Sequence, residues 1–189
     1  MTETIKNLAK AFIGESQARN RYTYYASIAK KEGFEEISAN FILTADQEKE
    51  HAKVLLKFIN ELTQNNGETI KVDSECPTVL GDTVANLKVA ISGENHEYTS
   101  MYPEFADVAE KEGLQDIAIR LRAIARAEKN HEERYRKFLE HLENDTTFKR
   151  NEKVYWVCRN CGYVHEAEIA PEECPACKHP KAYFETISK

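Results

Sequence analysis

The chain has 189 residues, a formal charge of −6 and a pI near 5.6, enough for one good domain and a small second one, and acidic enough to argue against nucleic acid or an anionic membrane as partner. Its start, Met1-Thr2-Glu3-Thr4, has no basic region leading into an apolar run, and no apolar stretch approaches the roughly 18 to 20 residues of a membrane span, so a cytoplasmic protein is expected. Five cysteines in such a chain are expected as metal ligands rather than disulfides, and four of them fall in the last 32 residues, which marks a C-terminal module.

The first expected helix, A, covers about 4–31, with an inner face of Ile5, Leu8, Phe12, Glu15, Arg19, Tyr22, Ala26 and Ala29 at alternating steps of three and four. Gly33 is placed to end it. Helix B, about 35–63, carries Phe41, Thr44, Glu48, His51, Leu55, Phe58 and Leu62 on the same rhythm. The stretch 64–81 is polar and lacks helical periodicity. Helices of about 30 residues are about 45 Å long, and roughly 17 extended residues can span that length. The stretch therefore reads as a crossover that makes B and C parallel, with Cys76 as an unpaired loop cysteine. Helix C, about 82–112, presents Leu87, Ala90, Glu94, Glu97, Met101, Phe105 and Val108. Helix D, about 114–143, presents Leu121, Ile124, Glu128, His131, Tyr135, Phe138 and Leu142. Turns at Gly33 and Gly113 make A–B and C–D antiparallel hairpins.

The two hairpins are copies of one another. Glu48-Lys49-Glu50-His51 and Glu128-Lys129-Asn130-His131 both read Glu-x-x-His, 80 residues apart, with Glu15 and Glu94 33 or 34 residues upstream of them. Residues three apart share a helix face, so each pair offers a carboxylate and an imidazole to one point. The offset is 79 at Gly14/Gly93 and 80 from Tyr22/Tyr102 onward, so the second copy holds one extra residue before Tyr102. A π-bulge or an ordinary kink at Pro103 would accommodate it. Glu15, Glu48, Glu94, Glu97 and Glu128 all interrupt apolar stripes, whereas Glu50, Glu132 and Glu133 read as a solvated charge face. Five buried carboxylates would cost several kcal/mol each without compensation, and two divalent cations would nearly neutralise them. Oxygen-rich ligation with one imidazole per metal suits iron or manganese.

At the C-terminus, Cys158-Arg159-Asn160-Cys161 and Cys174-Pro175-Ala176-Cys177 form two Cys-x-x-Cys pairs, expected to hold a metal in a tetrahedral four-thiolate site. Spacing alone permits zinc or iron. The module is too small for a self-sufficient core, even with Tyr155, Trp156, Tyr163 and Phe184, so metal binding is its folding energy. The stretch 144–152 is the expected linker, and the division is a bundle over 1–146 with linker and module over 147–189.

One Glu from each of two helices plus Glu-x-x-His from each of the other two is the known arrangement of ferritin-like di-iron bundles. With Glu97 as a seventh ligand, the paired tyrosines and the cysteine module, essentially the whole chain resembles rubrerythrin. Its Tyr-x-Val-Cys-x-x-Cys-Gly-Tyr and Cys-Pro-x-Cys segments resemble rubredoxin, with Lys178 where a glycine is common. The resemblance implies an all-α, ferritin-like four-helix bundle with a long crossover, plus a small metal-stabilised rubredoxin-like β domain. It implies two irons held by Glu15, Glu48, His51, Glu94, Glu97, Glu128 and His131, and one iron held by Cys158, Cys161, Cys174 and Cys177. Glu97 would then be a carboxylate that exchanges with a histidine as oxidation state changes, and Tyr22 and Tyr102 hydrogen-bond donors to ligand carboxylates; tyrosines that only fill core volume are the bland alternative. The implied activity is a peroxidase that reduces hydrogen peroxide and protects against oxidative stress. Its electrons would come indirectly from NAD(P)H, through a donor such as a rubredoxin or its reductase. A head-to-tail homodimer is implied too. A ferroxidase or iron-handling protein is the rival enzyme, and a zinc-ribbon interaction module the third reading.

Overall fold

The computed structural model describes residues 2–187. Helix α1 (Glu3–Lys31) starts where the Thr2 hydroxyl accepts from the Ile5 N–H. It ends in a turn that only a glycine adopts without strain: Gly33 has φ +85°, and the Phe34 N–H reaches back to the Ala29 carbonyl at 2.9 Å. Helix α2 (Glu35–Leu62) then runs back along α1. The second repeat closes identically, with Gly113 at φ +78° and the Leu114 N–H on the Ala109 carbonyl at 2.8 Å. Helix α5 (Gln115–Glu143) follows.

Between these hairpins the expected helix C is one rod with an interruption. Helix α3 (Thr83–His96), capped by Asp82, passes into a π-helical turn over Glu97–Met101 and then into α4 (Tyr102–Lys111). The Tyr102 N–H bonds the Glu97 carbonyl five residues back, so the extra residue of the second repeat is taken up as a π-turn. Pro103 follows in the first turn of α4, where its missing N–H costs least. The crossover returns along α1, pinned by Gln17 Nε2 to the Glu75 carbonyl at 3.2 Å and Tyr25 Oη to the Val79 carbonyl at 2.9 Å. It delivers Thr83, whose N–H donates to the Glu32 carboxylate at 3.0 Å, to the end where α2 began, so α2 and α3 are parallel.

Two apolar clusters fill the bundle. Leu8, Ala11, Leu55, Tyr102 and Leu121 belong to one, and Ala18, Tyr22, Tyr25, Phe41, Leu87 and Tyr135 to the other. The carboxylate candidates fall between them in sequence on each helix, as a polar layer within an otherwise apolar core. Two expectations are corrected here. Arg19, expected on the inner face, is exposed, and Ala18 is buried in its place, because its methyl joins the second apolar cluster while the guanidinium stays in water. Glu132, expected on the solvated face, is 5% exposed; it accepts from Asn95 Nδ2 at 3.0 Å and Arg136 Nε at 2.7 Å, and these bonds compensate its burial. Among the described residues no helix is long and apolar enough to cross a membrane.

The C-terminal sheet has the order β2–β1–β3, all antiparallel, from β1 (Lys149–Cys158), β2 (Val164–Ile169) and β3 (Phe184–Ile187). Trp156, Cys158, Ala170, Cys174 and Phe184 form its core, and the Trp156 indole donates to the Ala167 carbonyl at 3.0 Å. Strand β1 begins inside the stretch expected as linker, which leaves only 144–148 between helix and sheet. The module rests on the α1–α2 turn, with Phe148 stacked on Phe34 at 6.4 Å.

At that contact the Glu36 carboxyl is pushed up to about 7, first by burial and then by the charge of Glu185, against the pull of Arg159 and Arg150. A carboxyl raised on folding contributes stability below its unfolded pKa of about 4.3, which is lost as pH rises through about 7. Glu36→Gln should therefore gain on the native chain between pH 5 and 8, by about 1 to 2 kcal/mol after allowance for solvent screening. Melting curves of both iron-loaded proteins across that range test this; parallel pH profiles would show that Glu36 does not titrate there.

Candidate metal centre

Helix geometry brings the repeated Glu-x-x-His pairs together at the bundle's middle. Glu15, Glu48, His51 and Glu128 form one group, and Glu48, Glu94, Glu128 and His131 the other, with the ligand atoms of each group within 4.8 Å of one another. Glu48 and Glu128 belong to both, so the groups share an edge. The four carboxylates are at most 1% exposed. The two imidazole rings lie 6.0 Å apart.

The unmet hydrogen bonds of the donor set fit it to cations. His51 Nδ1 lies 2.9 Å from both Glu48 and Glu128, and 3.9 Å from Glu15. His131 Nδ1 lies 2.8 Å from Glu128, 3.1 Å from Glu48 and 3.4 Å from Glu94. One ring nitrogen carries at most one proton, so neither can satisfy three carboxylates. His131 Nδ1 makes an aligned hydrogen bond to none of them despite the short separations, and Glu15 Oε2, Glu48 Oε1, Glu94 Oε2 and both Glu128 oxygens are also buried without one. Unpaired buried acceptors converging from four helices fit a pair of cations.

Electrostatics say the same. Burial, followed by the charges of Glu48 and Glu128, pushes the Glu15 carboxyl well up, and burial with the charge of Glu48 raises Glu94 to about 8. Burial works against a charged ring at His51 and His131, yet the carboxylates of Glu128 and Glu48 outweigh it and raise them to about 10 and about 12. Protein alone thus recruits protons onto its imidazoles to offset the carboxylates. Bound divalent cations would take over that role and leave the rings free as ligands.

Tyr22 Oη donates to Glu94 Oε1 at 2.5 Å, and Tyr102 Oη donates to Glu15 Oε1. The tyrosines are thus paired across the repeats, each on the glutamate of the other hairpin. Both phenols are pushed well up, first by burial and then by that glutamate, so they keep their protons. Glu97 belongs to neither four-residue group. It opens the π-turn, is half-buried, and lines two cavities beside the centre. Burial and then the charges of Glu94, Glu128 and Glu48 push its carboxyl well up, and Arg21 pulls against them. Arg21 and Asn95 were not among the residues expected near the site. Asn95 answers Ser16 in the repeat, a weak signal, and nothing local distinguishes Arg21 from the other surface cations of helix A.

In the module, Cys158 and Cys177 have sulfurs 3.6 Å apart, as do Cys161 and Cys174, and all four lie within 4.8 Å of one another. A tetrahedron of metal–sulfur bonds near 2.3 Å has edges of about 3.8 Å, so the four thiols fit one metal. The backbone N–H of His179 leads in holding the Cys177 thiol down at about 6. The two knuckles are built alike: the N–H groups of Gly162 and Lys178 bond the Cys158 and Cys174 carbonyls at 2.8 and 2.9 Å. Lys178 does so at φ +65°, a conformation glycine would adopt without strain.

Comparison with known proteins agrees with both sites. The family model described as Rubrerythrin matches residues 6–139, and that described as Rubrerythrin, rubredoxin-like domain matches residues 156–185. A protein of Methanocaldococcus jannaschii named as a candidate rubrerythrin is 58% identical, over 98% of this chain and 93% of that one. Rubrerythrin-1 of Clostridium acetobutylicum is 48% identical over 100% of this chain and 96% of its own. Among solved structures, the fully reduced, all-ferrous state of nigerythrin aligns with a TM-score of 0.64 at 29% identity, covering 97% of this chain and 86% of that one.

Proposed function

The chain belongs to the rubrerythrin family, and from that premise we propose that it is a cytoplasmic non-haem di-iron peroxidase, reducing hydrogen peroxide to two waters with electrons passed through its rubredoxin-like iron. A di-iron carboxylate site and a four-cysteine site on one chain carry the reading. Storage of iron needs no re-reduction after each oxidation, whereas a peroxidase does. Iron held by the carboxylate groups would supply the two electrons that cleavage of an O–O bond needs, and iron held by Cys158, Cys161, Cys174 and Cys177 would supply one-electron transfer to restore them. NAD(P)H would feed that iron through a rubredoxin or its reductase.

Glu15, Glu48, His51 and Glu128 would hold one bundle iron, and Glu48, Glu94, Glu128 and His131 the other. Tyr22 and Tyr102 orient Glu94 and Glu15 by donating to them, so those carboxylates present fixed oxygens to the metals. Reduction of peroxide to two waters consumes two protons. Glu97, half-buried in a cavity wall, would pass them inward and exchange into the ligand set; its position on that wall supports this reading. Glu97→Ala should lower steady-state peroxide turnover about 10- to 100-fold, while iron content and bundle melting stay near native values. Equal losses of iron and activity would make Glu97 an ordinary structural ligand.

The reading as a whole is tested by single turnover. Anaerobically reduced protein is mixed with one equivalent of hydrogen peroxide or of dioxygen, and oxidation of the bundle irons is followed by absorbance. Faster oxidation by peroxide is expected. Faster oxidation by dioxygen, with iron passing on into mineral, would replace the peroxidase by a ferroxidase.

A further inference from the structure

Gly14 and Gly93 hold matching places in the two repeats, one residue before Glu15 and Glu94 and inside helices α1 and α3. Glycine destabilises a helix interior relative to alanine, through backbone entropy. Neither place needs it for packing, because a Cβ at either would meet no atom within 4 Å. What the two glycines share is a cavity of about 310 Å³ between α1 and the π-turn, walled also by Arg21, His96 and Glu97. A neighbouring cavity of about 300 Å³ shares Arg21, Gly93 and Glu97 and extends to Tyr22, the donor to Glu94. Residues Glu75 and Pro77 of the crossover line both, held in place by the bond from Gln17 to the Glu75 carbonyl. Arg21 lines both cavities, and among the described residues its guanidinium makes a single, long hydrogen bond, from Nη1 to Gln17 Oε1 at 3.4 Å, which leaves the terminal nitrogens with donors to spare.

Resting on the peroxidase reading for the identity of the oxidant, we infer that this cavity is the entrance by which hydrogen peroxide and small alkyl hydroperoxides reach the metal centre, with Arg21 meeting them and Gly14 and Gly93 setting the bore. The volume suits that class. A water molecule's share of liquid volume is about 30 Å³, so the cavity of about 310 Å³ admits peroxide with room for a short alkyl group. Guanidinium donors suit a peroxide oxygen or a small anion. Glu97 stands on the same wall, beside whatever enters.

The test uses azide, a small anion that binds oxidised iron, and follows its association with the oxidised, iron-loaded protein by stopped-flow absorbance. Gly14→Leu and Gly93→Leu should each slow association at least tenfold, and Ser27→Leu, on the exposed side of α1, should leave it within twofold. Arg21→Leu should slow it about tenfold and Arg21→Lys recover most of the loss. In the reduced protein, the leucine variants should slow oxidation by tert-butyl hydroperoxide more than by hydrogen peroxide. Gly14→Ala and Gly93→Ala, whose added Cβ meets no neighbour, should raise the melting midpoint of the iron-loaded protein by about 2 to 4 °C, and a fall would show that the glycines are kept for packing rather than for the bore. Should a leucine variant load iron poorly, Arg21→Leu at its half-buried position carries the same measurement. Unchanged azide rates in iron-replete variants overturn the entrance. A protein inert to peroxide whose azide association still slows in the variants would sink the peroxidase reading and leave the entrance standing. Normal turnover with unmoved association rates would do the reverse.

Discussion

Cys174→Ser should cut reductase-driven peroxide turnover by at least about 100-fold while sparing the bundle. Cys174 is fully buried in the module, with its sulfur 3.6 Å from that of Cys161. A serine oxygen is a hard, poorly acidic donor where a soft thiolate is needed, so the four-sulfur site loses its metal or its redox character. Among the described residues the module's own buried core is Trp156, Ala170 and Phe184 with the cysteines Cys158 and Cys174, and metal binding supplies much of its folding energy. The bundle's two clusters contain none of those residues, so its helices and carboxylate layer should persist. Chemically reduced variant should therefore still consume one equivalent of peroxide per di-iron site. Unchanged steady-state turnover would remove the four-cysteine iron from the electron path.

The second large effect is recovery of activity between two inactive chains. From His131 to Asn144 helix α5 advances 13 residues, about 20 Å along its axis. Only 144–148 then lead into β1, and the module packs against Phe34 at that same end of the bundle. Within one chain the four-cysteine site and the carboxylate layer thus stand on the order of 20 Å apart along the bundle axis, and electron transfer falls steeply with distance. A head-to-tail homodimer would place each module beside the partner's di-iron site by a closed, self-complementary contact. Cys174→Ser homodimers lack the relay, and Glu128→Ala homodimers lack a carboxylate common to both metal groups. In that arrangement a heterodimer of the two, isolated with two affinity tags, would retain one intact module facing one intact bundle site. Its reductase-driven turnover should return to about half that of the native dimer. Heterodimers that stay inactive, with each chain's unmutated centre loaded, would place transfer within the chain.

Much of this was legible in the residues themselves. Helix spacing is a local property, so steps of three and four placed Glu15, Glu48, Glu94 and Glu128 on buried faces before any contact was known. Comparing the two copies located the extra residue before Tyr102, because a helix that gains a residue must re-register everything after it. Two Cys-x-x-Cys pairs implied a shared metal, since four thiolates have few other uses at that spacing. Tertiary structure alone decided the rest. Proline kink and π-turn predict the same offset, and only the Tyr102 bond to the Glu97 carbonyl separates them. Glu132 shares the composition of a solvated face and is buried because Asn95, on another helix, happens to reach it. Arg21 shares a cavity wall with Glu97 because the crossover residues Glu75 and Pro77 run over α1 there, and the module's seat on Phe34 depends on where a five-residue linker lets it fall. Periodicity records how a residue relates to its own helix; which partner it meets across the bundle is set by packing between segments far apart in the chain, and no local pattern carries that information.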